Sequence, residues 1–180
     1  MFGASTPLVR RWKSEGKAMT ARITRRMSAA ALLTASLVAT AALPARADAN
    51  GNGIVKVRSA HPMAETIARL KKDVADKGIM FFMEVDQAKL AAGAGIALRP
   101  STLLIFGNPP LGTQFITSRP EAGLDWPVRL LVFEDDKGVV WMAYTDFGWI
   151  ARRHGIKDRD AQFRMASGVI ASITASATAR

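Results

Sequence analysis

Val128-Arg129-Leu130-Leu131-Val132-Phe133-Glu134, then Asp135-Asp136-Lys137-Gly138, then Val139-Val140-Trp141-Met142-Ala143-Tyr144-Thr145, is the stretch that decides the fold. Two β-branched and aromatic runs around a turn of aspartate, lysine and glycine predict an antiparallel hairpin. Upstream, Thr102-Leu103-Leu104-Ile105-Phe106 is apolar without alternation, so a central strand covered on both faces is expected. Ile79-Met80-Phe81-Phe82-Met83-Glu84-Val85 is too short for a helix and aromatic-rich, and reads as another strand. Ile54-Val55-Lys56-Val57-Arg58 adds a fifth, with Ile54, Lys56 and Arg58 on one face and the valines on the other.

Helical patterns separate these runs. After His61-Pro62, the residues Met63, Ile67, Leu70 and Val74 recur at steps of four, three and four, the stripe of a one-sided helix that Gly78 ends. Asp86 is placed to cap a short helix running to about Ala92, ended by Gly93-Ala94-Gly95. Asn108-Pro109-Pro110 breaks the chain before a short helix near Leu111–Thr117, and Pro120 and Pro127 bracket a loop. Asp146 is placed to cap a helix over Trp149–Arg153, with Gly155 at its end. Asp158 is expected to cap the last helix, whose Phe163, Ala166, Val169, Ile170 and Ile173 share a face. Strands joined partly by a tight hairpin and partly by helices favour an α+β fold over a doubly wound parallel sheet. The expectation is a mostly antiparallel sheet of about five strands, two main helices on one face and short connecting helices.

The charge looks at first like a nucleic-acid signature, with 25 Lys+Arg against 15 Asp+Glu in 180 residues. Its distribution says otherwise. Residues 1–47 hold eight of the basic groups and one of the acidic ones, leaving 17 against 14 in the rest of the chain. Neutralising phosphates takes a clustered basic surface, and a mixed remainder of +3 offers none, so no nucleic-acid partner is expected.

Residues 1–47 read as a targeting segment. Arg22-Ile23-Thr24-Arg25-Arg26 is a basic lead, Ser28–Leu43 an apolar run, and Ala45-Arg46-Ala47 the small-x-small pattern of a signal-peptidase site, giving cleavage between Ala47 and Asp48. The run is short of the roughly 20 residues of a membrane-spanning helix. The expected location is periplasmic. The general secretory route is favoured over the twin-arginine route that Arg25-Arg26 also allows, and Met19 or Met27 are alternative starts. Residues 48–52 read as a flexible entry, 53–173 as one domain, and 174–180 as a disordered tail. The chain has no cysteine, which excludes lipoprotein anchoring, disulfides and thiolate chemistry together.

Several stretches, in order, resemble the bacterial family called domain of unknown function 302. They are Glu65-Thr66 through Leu70, Asp86-Gln87-Ala88, Leu98-Arg99-Pro100, Leu103–Pro109 with its Phe106-Gly107-Asn108-Pro109 core, and Gly112-Thr113. Leu124-Asp125-Trp126-Pro127 through Val132 and Ala151-Arg152-Arg153-His154-Gly155 complete the set. The resemblance implies a curved α+β sheet and a homodimer, and assigns no reaction, substrate or cofactor. The family often carries histidine where this chain has Gln87.

Chemistry is sparse. The histidines His61 and His154 sit beside a helix-starting proline and before a helix-ending glycine, which are structural placements, so no metal site is expected. Met80 and Met83 form a Met-x-x-Met that would suit copper(I), but strand positions three apart point to opposite faces, which makes both core residues. Gly51-Asn52-Gly53 and Gly93-Ala94-Gly95 lack the strand–turn–helix context of a dinucleotide loop. The acids Glu134-Asp135-Asp136 do not match a calcium loop.

What remains are polar residues at element ends, where sites are usually built: Asp86, Arg99, Asn108, Thr113, Tyr144, Asp146, Arg152 and Arg153. Asp86, Arg99, Asn108, Tyr144, Asp146 and Arg152 are the candidate ligand contacts. Each also has a structural use, as a cap, a turn or a helix-end partner. The missing catalytic constellation and the structurally placed histidines favour an exported module that binds a small ligand or a protein, without a cofactor, and the resemblance implies that it is a homodimer. The alternative is a small enzyme in which Asp86 and Arg99 do acid–base work on an anionic metabolite. A metal-handling periplasmic protein is disfavoured by the ligand count.

Overall fold

The computed structural model describes residues 51–178; the targeting segment, its Ala47–Asp48 cleavage point and the alternative starts lie outside the described residues. Strand β1 is Ile54–Arg58, followed by helix α1, Met63–Asp76, and strand β2, Met80–Asp86. Then come α2 (Gln87–Gly93), β3 (Ser101–Gly107), α3 (Pro109–Ser118) and a 3-10 turn at Pro120–Leu124. The hairpin strands are β4 (Val128–Glu134) and β5 (Val140–Thr145), followed by α4 (Phe147–His154) and α5 (Asp160–Ala175). The strands form one sheet in the order β1-β5-β4-β3-β2, antiparallel throughout. This is the expected α+β architecture.

Register sorts the side chains into two faces. Val57 lies beside Met142, Val132 beside Met142, Thr102 beside Val132, and Leu104 beside Leu130. These belong to one core with Leu70 and Val74 of α1 and Ile170 and Ile173 of α5. The stripe read from the sequence is therefore what docks α1. Complete burial of a leucine such as Leu70 makes its truncation to alanine worth about 2–5 kcal/mol.

The opposite face carries Leu103, Ile105, Leu131, Phe133, Trp141 and Ala143 by the same register. β3 is an inner strand, as its unbroken apolar run predicted, but Leu103 and Ile105 on this side are only half-buried, and α2 meets the face at its edge, where Ser101 Oγ donates to Gln87 Oε1 at 2.7 Å.

Four further expectations are corrected. Met80 and Met83 do not point to opposite faces. A bulge at Phe82 makes Phe81 pair with Phe106 and Met83 with Ile105, so one extra residue reverses the alternation. Both methionines then lie on the open face, 53% and 52% exposed instead of in the core. Their neighbours there, Ile105, Leu103 and Val85, offer no metal ligand.

Asp158 does not cap α5. The N-cap is Arg159 without a side-chain bond, and Asp158 accepts from Ser118 Oγ at 2.6 Å and from the Arg159 guanidinium. The chain after Ile173 is not loose either. Thr174 and Ala177 are buried, and the Ala177 carbonyl accepts from Ala60 N–H at 3.0 Å and from Ser59 Oγ at 3.1 Å. Helix α3 also begins earlier than expected, because prolines suit a first turn where their missing N–H costs nothing.

The deciding hairpin is closed by Asp135. Its carboxylate accepts from Lys137 N–H and Val139 N–H, both at 2.9 Å, and from Trp141 Nε1–H at 2.8 Å. The indole bond first, then the Val139 N–H, hold its pKa below the ordinary aspartate value. A depressed folded value contributes stability above the unfolded pKa that is lost as pH falls through the folded one. The Asp135 carboxyl should titrate below the ordinary aspartate range in a chemical-shift titration. Asp135→Asn should flatten the acid limb of the stability curve, and an unshifted titration would contradict this closure.

Candidate functional site

The candidate residues fall at two ends of the sheet. Antiparallel register places Asp86, at the end of β2, and Arg99, just before β3, at one end. Asn108 follows β3 and Tyr144 and Asp146 lie at or after the end of β5, which puts them at the other end. Asp86, Asn108 and Asp146 are each engaged locally. Asp86 Oδ1 accepts Lys89 N–H at 2.9 Å and so caps α2. Asp146 Oδ1 accepts Trp149 N–H at 2.7 Å and caps α4. Asn108 Oδ1 accepts Leu111 N–H at 3.2 Å and caps α3. Thr113 Oγ1 donates to the Pro109 carbonyl at 2.7 Å. Arg99 and Arg152 are exposed.

Tyr144 is half-buried on the helix-covered face, where burial, and secondarily the Asp146 carboxylate, raise its hydroxyl above the ordinary tyrosine pKa. Asp86 gives Oδ1 to the cap, and no hydrogen bond or ion pair joins it to Arg99 among the described residues. Among the described residues, no group of three or more His, Asp or Glu side chains could hold a metal ion.

The second end of the sheet is organised around Trp126, which sequence reasoning did not single out. A Cβ on Gly112 would lie 1.7 Å from the Trp126 ring, and one on Gly107 would lie 2.8 Å from it. Both positions therefore accept only glycine, since the indole occupies the space of a side chain. Phe115 meets the same ring edge-on at 6.2 Å and stacks on Phe163 at 4.2 Å, tying α3 to α5.

Beside Trp126, Asp125 is a buried hub. His154 Nε2–H donates to its Oδ2 at 2.6 Å, Arg153 reaches both oxygens at 3.2 Å, and Arg129 stands 3.4 Å from Oδ1. The Asp125 and His154 side chains are 6% and 7% exposed. An aspartate–histidine pair can move protons when a substrate reaches it. The void beside Asp125 holds only about 10 Å³, at the limit of what admits one water. The pair instead clamps the last turn of α4 to the loop before β4. The sequence did carry a signal for it: Leu124–Pro127 and Ala151–Gly155 both belong to the family-like stretches.

A larger space opens on the helix side of this corner. A cavity of about 360 Å³ lies between α5 and the β3–α3 junction, lined by Phe106, Asn108, Leu111, Trp126, Phe147 and Ile170 among others. Of the candidate residues, Asn108 alone borders it.

The fold and this corner define an antiparallel α+β domain whose polar residues at element ends mostly cap helices and clamp the fold. The chain belongs to the family described as domain of unknown function DUF302, whose sequence model matches residues 55–173. A crystal structure of an uncharacterized conserved DUF302 protein from Bacillus stearothermophilus superposes with a TM-score of 0.64 at 15% identity, covering 70% of this chain and 98% of that one, and shares the fold. Among curated proteins, fluoride-specific ion channel FluC 1 of Brucella suis biovar 1 is 40% identical over 113 residues, 63% of this chain and 44% of that protein. FluC 1 of Brucella abortus biovar 1 is also 40% identical over 113 residues, 42% of its length. This chain thus spans less than half the length of these relatives, and no helix among its described residues is long and apolar enough to cross a membrane.

Gly112→Ala should destabilise the domain strongly, because the new methyl group must displace Trp126; overpacking of this kind costs about 1–3 kcal/mol or more. Asp125→Asn should cost about 1–3 kcal/mol by leaving buried donors poorly met. Denaturant unfolding of both variants checks this, and unchanged midpoints would show that the corner is not structural.

Proposed function

We propose that this domain is an exported, periplasmic binding and assembly module, not an enzyme, and that it pairs with a second copy of itself through the open face of the sheet. The observation that carries the reading is the continuous apolar surface of Leu103, Ile105, Leu131, Phe133 and Trp141. Met80 and Met83 extend it on β2. Exposed Leu90, Ile96 and Leu98 in and after α2 add to the chain's unburied apolar surface. Lys56, Arg58 and Arg129 share the sheet face as a polar rim, with Lys56 Nζ 5.2 Å and 5.0 Å from the Phe133 and Trp141 rings.

An apolar centre inside a polar rim is the anatomy of an interface. Antiparallel sheets tolerate one solvated face, but such a face is then mostly polar, whereas β3, β4 and β5 put Leu103, Ile105, Leu131, Phe133 and Trp141 on this one. Five strands spaced about 4.8 Å apart and about 20 Å long give on the order of 500 Å² of flat area. That is of the same order as the roughly 800 Å² per partner of a standard interface. A second copy matches the patch in size and in apolar character, and the family resemblance also implies a homodimer.

The curated relatives favour a second reading. Proteins named as fluoride channels carry a similar segment alongside more than half a chain of other sequence. In that arrangement the open face would seat on a membrane-protein partner.

Analytical ultracentrifugation of the processed protein at micromolar concentration tests the first reading. A dimer is expected, with Leu131→Asp and Ile105→Lys each giving a folded monomer by circular dichroism. A wild-type protein that stays monomeric would overturn self-association and leave the heterologous partner.

A further inference from the structure

The cavity beside Trp126 lies on the helix-covered side of the sheet, away from the face assigned to pairing, and its walls specify a ligand. Its size sits at the lower end of small-molecule pockets, roughly 300–1,000 Å³. The floor is closed by Phe106, Ile170 and Ile173, each 2% exposed or less. Trp126 and Phe147 supply aromatic walls, and Met165 of α5, 60% exposed, stands at the rim. A second recess of about 270 Å³ between α3 and α5 shares Asn108, Leu111 and Met165 with it, so an elongated molecule can lie along both.

The polar groups lining the cavity offer donors. Asn108 uses its carbonyl oxygen to cap α3, which leaves its amide N–H groups for a ligand. Lys77 is the one charged side chain on the described lining, and its ammonium is 2.6 Å from Asp73 with donors to spare. No acidic side chain lines the space among the described residues. Donors set around an apolar trough fit a molecule with an oxygen acceptor at one end and a hydrocarbon body, and the ammonium N–H groups that Lys77 has beyond its Asp73 bond suit a carboxylate head.

We infer that the cavity is a binding site for a medium-chain monocarboxylate, its hydrocarbon lying against Phe106, Trp126, Phe147 and Met165 and its carboxylate taking hydrogen bonds at Asn108 and Lys77.

Calorimetric titration with decanoate below its micelle concentration, alongside decanol and decyltrimethylammonium, tests this directly. Decanoate should bind one per protomer, decanol several-fold more weakly, and decyltrimethylammonium at least tenfold more weakly. Val169→Trp should fill the trough and weaken decanoate at least tenfold while keeping the unliganded thermal midpoint. Met165→Trp, at the exposed rim, serves the same purpose should the first variant not fold. The monomeric Leu131→Asp protein should bind decanoate as well as wild type, which separates this site from the pairing face. No binding of decanoate, equal binding of all three probes, or affinity untouched by a folded tryptophan variant would overturn the assignment.

Discussion

Backbone hydrogen bonding between five antiparallel strands creates two apolar surfaces at once, and the described chain covers one of them. Helices α1 and α5 bring Leu70, Val74, Ile170 and Ile173 onto Leu104, Phe106, Leu130, Val132 and Met142, and that layer is the core. The reverse side presents Leu103, Ile105, Leu131 and Trp141, which the same alternation must expose once the first set is buried. Burial is worth about 25 cal/mol per Å² of apolar surface, so an uncovered face of this extent favours association. Placing the helices, the open face and the cavity in this fold follows from that one-sided supply of cover.

The second dependency is the corner around Trp126. Its indole occupies the space that Gly107 and Gly112 leave, while Asn108 caps α3 and Asp125 holds α4 through His154 and Arg153. These residues fall within the family-like stretches, and in this structure each fills or satisfies what its neighbour leaves open.

Local physics was legible in the sequence. The hairpin, the stripe on α1 and the caps at Asp86 and Asp146 each depend on residues within a few positions of one another. What escaped depends on single insertions or distant partners. The bulge at Phe82 adds one residue and reverses the faces of Met80 and Met83, and no alternation in an all-apolar run reveals it. The segment after Ile173 is held by Ser59, 118 positions from Ala177. Asp125 and His154 are 29 positions apart, so each looked like an isolated loop or helix-end residue. The candidate ligand residues were chosen as element ends, and three of the six, Asp86, Asn108 and Asp146, are caps, because a side chain that can greet a ligand can equally greet a backbone N–H.

The methionines give the most direct measurement of the central claim, that the open face is covered by a second copy. Met80 and Met83 lie on that face and Met165 on the helix side, and in the isolated protomer all three are about equally exposed. Hydrogen peroxide oxidation followed by peptide mass spectrometry at high and low protein concentration reads their accessibility without any substitution. The account predicts that Met80 and Met83 are protected at high concentration and released on dilution, with Met165 oxidised quickly throughout. Three methionines that oxidise at the same rate at every concentration would contradict it.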